Sequence, residues 1–162
     1  MKLTTKGRYA VQALADIAAY GGASPVAAGE VALRQGISAG YLEQLLGRLR
    51  RAQMVESVRG VAGGYRLARP ARDIRIADIV AAADEKIKTT ACEGKSGGCL
   101  GASARCLTHD LWDELGRQID IFLNAVTLED VIERRVLGMA SVNAPVKPVQ
   151  QQQQKGYPGA AE

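Results

Sequence analysis

The chain has one histidine, three cysteines and, in 162 residues, no apolar run approaching the ~20 needed by a membrane-spanning helix. An odd count of thiols, with no apolar signal segment after Met1-Lys2-Leu3, argues against a disulfide-stapled secreted fold. A soluble protein of the reducing cytoplasm, with no membrane partner, is expected. Gly60, Gly63 and Gly64 lack the Gly-Lys-Ser/Thr of a P-loop and no helix start follows them, which argues against a nucleotide cradle. Internal repeats are absent too. Apolar residues nevertheless make up 47%, enough for a proper core, and the length suits one domain or one domain with a helical extension.

Charge is unevenly shared. Residues 1–72 carry 11 Lys/Arg against 4 Asp/Glu, a net of +7, while residues 73–162 carry 10 against 13, a net of −3. A basic surface attracts nucleic acid by neutralising phosphates and releasing counterions, although an ordinary solvated face has the same composition. The rare metal-binding residues lie in the other half: Cys92, Cys99, Cys106 and His109 fall within 18 residues, and no other Cys or His exists. Three thiolates and one imidazole have the count and chemistry of a metal or cluster site. The surrounding EGKSGGCLGASARC is glycine-rich and lets backbone wrap closely around an ion.

Local patterns give a mostly α chain. Thr4-Thr5-Lys6-Gly7 opens a first helix through Ala10, Val11, Leu14, Ile17 and Ala18, ended by Gly21-Gly22. Ser24-Pro25 is expected to cap a second helix over about 26–34, and Ser38, after Gly36-Ile37, to cap a third reaching about Ala52. Two helices across a short glycine turn make a helix-turn-helix. In the third, Leu42, Leu45, Leu46 and Leu49 share one face, leaving Gly40, Gln44, Gly47 and Arg51 opposite and Glu43 and Arg48 at the flanks. Two β-prone runs, 55–59 and 65–69, form a hairpin with Arg59 near its tip, and a hairpin behind a helix-turn-helix is a winged helix. A fourth helix spans about 74–84. Thr108 caps a long helix to about Val126, in which Trp112, Leu115, Ile119, Phe122 and Val126 follow heptad steps, while Leu111, Ile121 and Leu123 widen the apolar surface. That stripe points to a homodimer interface, the alternative being a core helix in a monomer. Thr127 and Asp130 form an acidic capping box for a last helix over about 128–135, and the Gln- and Pro-containing tail has no apolar period to order it. The expected units are a DNA-binding domain over 1–72, a connecting segment over 73–91, a ligand loop over 92–109, dimerisation and terminal helices over 107–137, and a disordered tail over 138–162.

LTTKGRYA, GISAGYLEQLLGRLRRAQMVESVRGVAGGYRL and CEGKSGGCLGASARCLTHDLW, in this order, resemble the IscR-type family of winged-helix iron-sulfur cluster regulators across about residues 1–135. The resemblance implies a bacterial homodimeric transcription factor with one 2Fe-2S cluster per subunit, received from the cluster assembly machinery, that controls cluster assembly genes. Cys92, Cys99 and Cys106 occupy the positions of the family's thiolate ligands and His109 that of its histidine. Each inter-cysteine interval holds six residues, one more than in the best-known members. A structural zinc ion suits the same donors, but zinc sites bring ligands in close pairs and only Cys106 and His109 are so spaced. Reversible thiol oxidation leaves His109 without a role. A Cys106–His109 catalytic dyad lacks a third orienting group and leaves the basic half unexplained, so no enzymatic activity is expected.

A second helix of a helix-turn-helix enters the major groove N-terminus first, which nominates Ser38, Gly40, Tyr41, Glu43 and Gln44 for bases or nearby phosphates of double-stranded DNA. Arg48, Arg50 and Arg51 are candidate phosphate anchors, with Lys6 and Arg8 weaker ones, and Arg59 on the wing is placed for a minor groove. Glu43 is an acidic residue facing a polyanion. Its carboxylate can accept from cytosine N4 but opposes an acceptor such as guanine O6, so it is expected to filter sequences.

Overall fold

The computed structural model describes residues 5–22, 24–83 and 106–136; Cys92, Cys99 and the tail over 138–162 lie outside the described residues. The elements are α1 (Thr5–Gly21), α2 (Ala28–Gln35), α3 (Ala39–Arg51), β1 (Val55–Val58), β2 (Gly64–Leu67), a 3-10 turn (Ala71–Asp73), α4 (Ile76–Ala82), α5 (His109–Ala125) and α6 (Leu128–Ile132). This is the mostly helical winged helix-turn-helix that the sequence patterns describe.

α1 is the hub. Ala10, Ala13, Leu14 and Ile17 line its buried face, and it packs against α2, α3, β2, α4 and α6. The two alanines let neighbouring elements approach its backbone, while Leu14 and Ile17 fill the centre. Leu42, Leu45, Leu46 and Leu49 of α3, Val55 of β1, Ile79 of α4 and Leu128 of α6 all join one continuous core. The unit read over 1–72 therefore shares its core with α4 and α6.

Strands β1 and β2 pair antiparallel, Val55 opposite Leu67 and Val58 opposite Gly64. Val26 and Tyr65 exchange two backbone hydrogen bonds, each 2.8 Å, adding an isolated bridge to the wing. That bridge corrects the expected start of α2. Val26 is held extended, so Ala27 rather than Ser24-Pro25 occupies the N-cap and the helix begins at Ala28. α4 likewise starts two residues late: Ile76 N–H donates to Val126 at 3.0 Å and Leu128 N–H to Ile74 at 2.8 Å, keeping residues 74–75 extended.

The carboxylate of Asp16, 0% exposed, accepts from Arg34 Nε and Nη2 and, at 2.7 Å, from Gln35 Nε2, fastening α2 to α1. Arg34 also lies 4.5 Å over the Tyr20 ring, and the Asp16 carboxylate raises its pKa further above the usual arginine value. Among the described residues no helix is long and apolar enough to cross a membrane.

The α5 stripe divides between two destinations. Val126, expected at a dimer interface, is 2% exposed and belongs to the chain's own core, because its backbone is pinned to Ile76. Phe122 and Leu123 also pack against that core. Trp112, Leu111 and Ile121 are exposed, Leu115 and Ile119 are half-buried, and no residue of the 17-residue helix is fully buried. α6 opens with the expected capping box: Thr127 accepts from the Asp130 N–H while the Asp130 carboxylate accepts from the Thr127 N–H at 3.0 Å.

Candidate DNA-reading surface and metal ligands

The α2–α3 turn is fixed by backbone chemistry. Gly36 adopts a left-handed conformation (φ 63°, ψ 33°), its N–H reaching Leu33 while the Ile37 N–H donates to Ala32 at 3.0 Å. Buried Ile37 then plugs the corner beside Ala32, the apolar contact that accompanies this type of helix end. α3 consequently leaves the turn with Ser38, Gly40, Glu43 and Gln44 exposed along its first two turns. Ser38 stands at the N-cap position with extended backbone, but its hydroxyl makes no capping bond, contrary to expectation.

Three other nominated residues, Tyr41, Arg48 and Arg50, make contacts within the fold. Tyr41 is half-buried, edge-on to Tyr9 of α1 with ring centroids 6.0 Å apart, so much of its ring serves packing. Arg48, expected to anchor phosphate, turns back and donates from Nη1 to the Ala83 carbonyl at the end of α4 (3.2 Å). Arg50 reaches Ser57 Oγ on the wing at 3.4 Å, and Arg51 is exposed. Arg59 is exposed beside the wing loop. That loop is narrowly specified: Gly60 has φ 124°, and a Cβ on Gly63 would lie 2.5 Å from the Val58 carbonyl oxygen. Val61 at its tip is fully exposed.

Sequence patterning missed one member of this surface. Tyr65 donates its hydroxyl to Glu43 Oε2 at 3.0 Å, linking wing to recognition helix. Burial, reinforced by the hydrogen bond and charge of Glu43 and opposed by Arg50, raises the Tyr65 phenol above its ordinary pKa. A tyrosine on a hairpin reads as ordinary strand packing, and only the fold brings residue 65 to residue 43.

Of the four nominated ligands, Cys106 and His109 are described. Both are half-buried at the N-terminus of α5, and a turn joins them: the His109 N–H donates to the Cys106 carbonyl at 3.0 Å. Thr108 is the N-cap, yet its hydroxyl sits 3.6 Å from Cys106 Sγ instead of capping the helix. A thiol and an imidazole brought together by one turn are a fitting donor pair, soft sulfur with borderline nitrogen, for iron-sulfur or zinc chemistry. Among the described residues no group of three or more His, Cys, Asp and Glu side chains is assembled for a metal.

Comparison with known proteins agrees with this architecture. The HTH-type transcriptional regulator IscR of Vibrio campbellii is 50% identical over 133 residues, covering 82% of this chain and 78% of that protein. The regulator of the same name from Vibrio vulnificus is 51% identical over 132 residues, covering 82% and 77%. Among solved structures, T. potens IscR superposes with a TM-score of 0.66 at 36% identity over 83% of this chain and 88% of its own. CymR, the global cysteine regulator of B. subtilis, superposes with a TM-score of 0.70 at 28% identity over 83% and 98%. These relatives are named as regulators of transcription, not as enzymes. The family model described as Rrf2, iron-dependent transcriptional regulator, matches residues 3–134. The chain belongs to the Rrf2 family of transcriptional regulators.

Proposed function

We propose that this regulator is a homodimer that reads a pseudo-palindromic operator in double-stranded DNA and senses iron-sulfur status through one 2Fe-2S cluster per subunit, controlling genes of cluster assembly. The observation that carries the reading is the juxtaposition of Cys106 and His109 at the start of α5, a helix that leaves Leu111 and Trp112 exposed near that end. His109 and the exposed apolar side chains thus stand on one helix, with Cys106 a turn before it. Cys92 and Cys99 complete the donor set, and the assembly machinery is the cluster's source. Three thiolates with one neutral imidazole give a cluster less negative charge than four thiolates do, which raises its potential and suits sensing.

The chain's own residues supply the rest. Exposed Ser38, Gly40, Glu43 and Gln44 approach base edges, with Tyr41 at the margin, while Arg59 extends from the wing toward a minor groove. The exposed side chains of Leu111 and Trp112, with half-buried Leu115 and Ile119 on the same side of α5, form the dimer face. A twofold axis through α5 would set two copies of α3 against two half-sites. Footprinting of anaerobically purified protein on its own upstream DNA tests the reading. Symmetric protection spanning two half-sites is expected, with an extent or affinity that changes on cluster loss. Protection of one half-site by a monomer, identical with and without cluster, would contradict it.

A further inference from the structure

Tyr65 and Glu43 sit on different parts of the reading surface, one on β2 of the wing and one on α3, and are joined by the 3.0 Å hydrogen bond from phenol to carboxylate. We propose that Tyr65 is a positioning residue for base discrimination: its hydroxyl tethers one oxygen of Glu43 to the wing, so that the other is presented to the groove in a single pose. The proposal rests on the assignment of α3 to the major groove.

The anchor is rigid and the anchored group is not. Tyr65 pairs with Ser57 on one side and bridges Val26 on the other, so its backbone is held along both edges. The preceding residue tightens this further, since a Cβ on Gly64 would fall 2.3 Å from the Val26 carbonyl oxygen. The ring is half-buried and packs against the core, which fixes where the hydroxyl stands. Glu43 is exposed, and a glutamate side chain alone on a helix surface rotates freely among several rotamers. Most of those would point the charge into solvent or toward phosphate, where it cannot discriminate between bases.

Stoichiometry of donors and acceptors suits the role. A phenol has one hydrogen, and donating it to Glu43 commits it. The carboxylate offers about four lone-pair sites, so accepting from Tyr65 leaves capacity for a cytosine amino group. A tyrosine phenol is protonated at neutral pH at its ordinary pKa, and the upward shift leaves it so. Arg50, whose guanidinium reaches Ser57, is the cation that acts on the phenol in the opposite sense.

The test is a binding-site selection from random duplex DNA at fixed salt, with anaerobically purified full-length wild type, Tyr65→Phe, Glu43→Ala and the double variant. Tyr65→Phe should lose about tenfold discrimination at the base positions that Glu43→Ala also relaxes. The double variant should discriminate no less than Glu43→Ala alone. A wild-type preference that survives Tyr65→Phe, or a Tyr65→Phe effect of equal size in the Glu43→Ala background, would overturn the tether. Absence of any base preference in wild type would overturn the α3 assignment and the tether's role together. The pair is tested separately in DNA-free protein by carbon-13 tyrosine NMR: Glu43→Gln should lower the titration midpoint of Tyr65. An unmoved midpoint contradicts the tether whatever the selection shows.

Discussion

Arg48 Nη1 donates to the carbonyl oxygen of Ala83, tying the C-terminal half of the recognition helix to the end of α4, nine positions before Cys92. The bond engages the guanidinium within the fold and satisfies a carbonyl at a helix end, where intrahelical partners run out. Arg48→Ala should therefore lower stability by about 1 kcal/mol in urea unfolding and leave the salt dependence of DNA binding unchanged. Arg59→Ala should do the reverse, keeping stability while reducing the log–log salt slope by about 1. Equal slopes for wild type and Arg59→Ala, with a reduced slope for Arg48→Ala, would reverse the two assignments.

The Asp16–Arg34–Gln35 network holds the first helix of the helix-turn-helix on α1. Asp16→Ala removes three charge-assisted contacts but leaves Arg34, 31% exposed, able to find water and the Tyr20 ring. Its cost should be about 2 kcal/mol. Arg34→Ala strands the fully buried Asp16 carboxylate with Gln35 alone and should cost more, about 3 kcal/mol. Denaturant midpoints in the opposite order would contradict a desolvation-dominated network.

Asp130 gives the fold an acid-sensitive joint. The Thr127 hydroxyl and backbone N–H, with Arg135, hold its carboxyl below the ordinary aspartate range. A depressed folded-state pKa contributes stability that is complete above the unfolded value and is lost as pH falls through the folded one. Wild type should thus lose stability below about pH 4 through this group, and Asp130→Asn should lack that component. At neutral pH, Thr127→Ala should cost about 1 kcal/mol. Thermal melts from pH 2 to 7 that run parallel for wild type and Asp130→Asn would show that ionisation of Asp130 contributes nothing.

Much of this was legible in the sequence because it is periodic or local. The leucines of α3, the glycine turn at residue 36 and the Thr127–Asp130 box are written in spacings of a few residues and stand where those spacings put them, although α6 ends at Ile132 rather than near Arg135. What was not legible is what long-range contacts decide. Val26 reads as part of a helix start but is captured by Tyr65, and Val126 reads as the last heptad position but is captured by Ile76. Arg48 reads as a phosphate anchor and Glu43 as a base filter, and neither reading names the partners 35 and 22 residues away that hold them. No single-residue pattern announces such partners.

The divided α5 stripe separates association from folding. Leu111→Glu and Trp112→Glu alter exposed side chains beside the Leu115–Ile119 stripe and should yield folded monomers, whereas Val126→Glu buries a charge in the core and should unfold the chain. Sedimentation equilibrium with circular dichroism checks both. Folded dimers for Leu111→Glu and Trp112→Glu would move the interface off this face.

Iron, zinc and acid-labile sulfide analysis of anaerobically purified or reconstituted protein, alongside the same analysis of Cys92→Ala, Cys99→Ala, Cys106→Ala and His109→Ala, tests the proposed sensor most directly. Wild type should carry about two irons and two sulfides per chain with visible absorbance, and each variant should hold less cluster or lose it faster. About one zinc per chain, without sulfide or visible absorbance, would make the site a structural zinc and contradict cluster sensing.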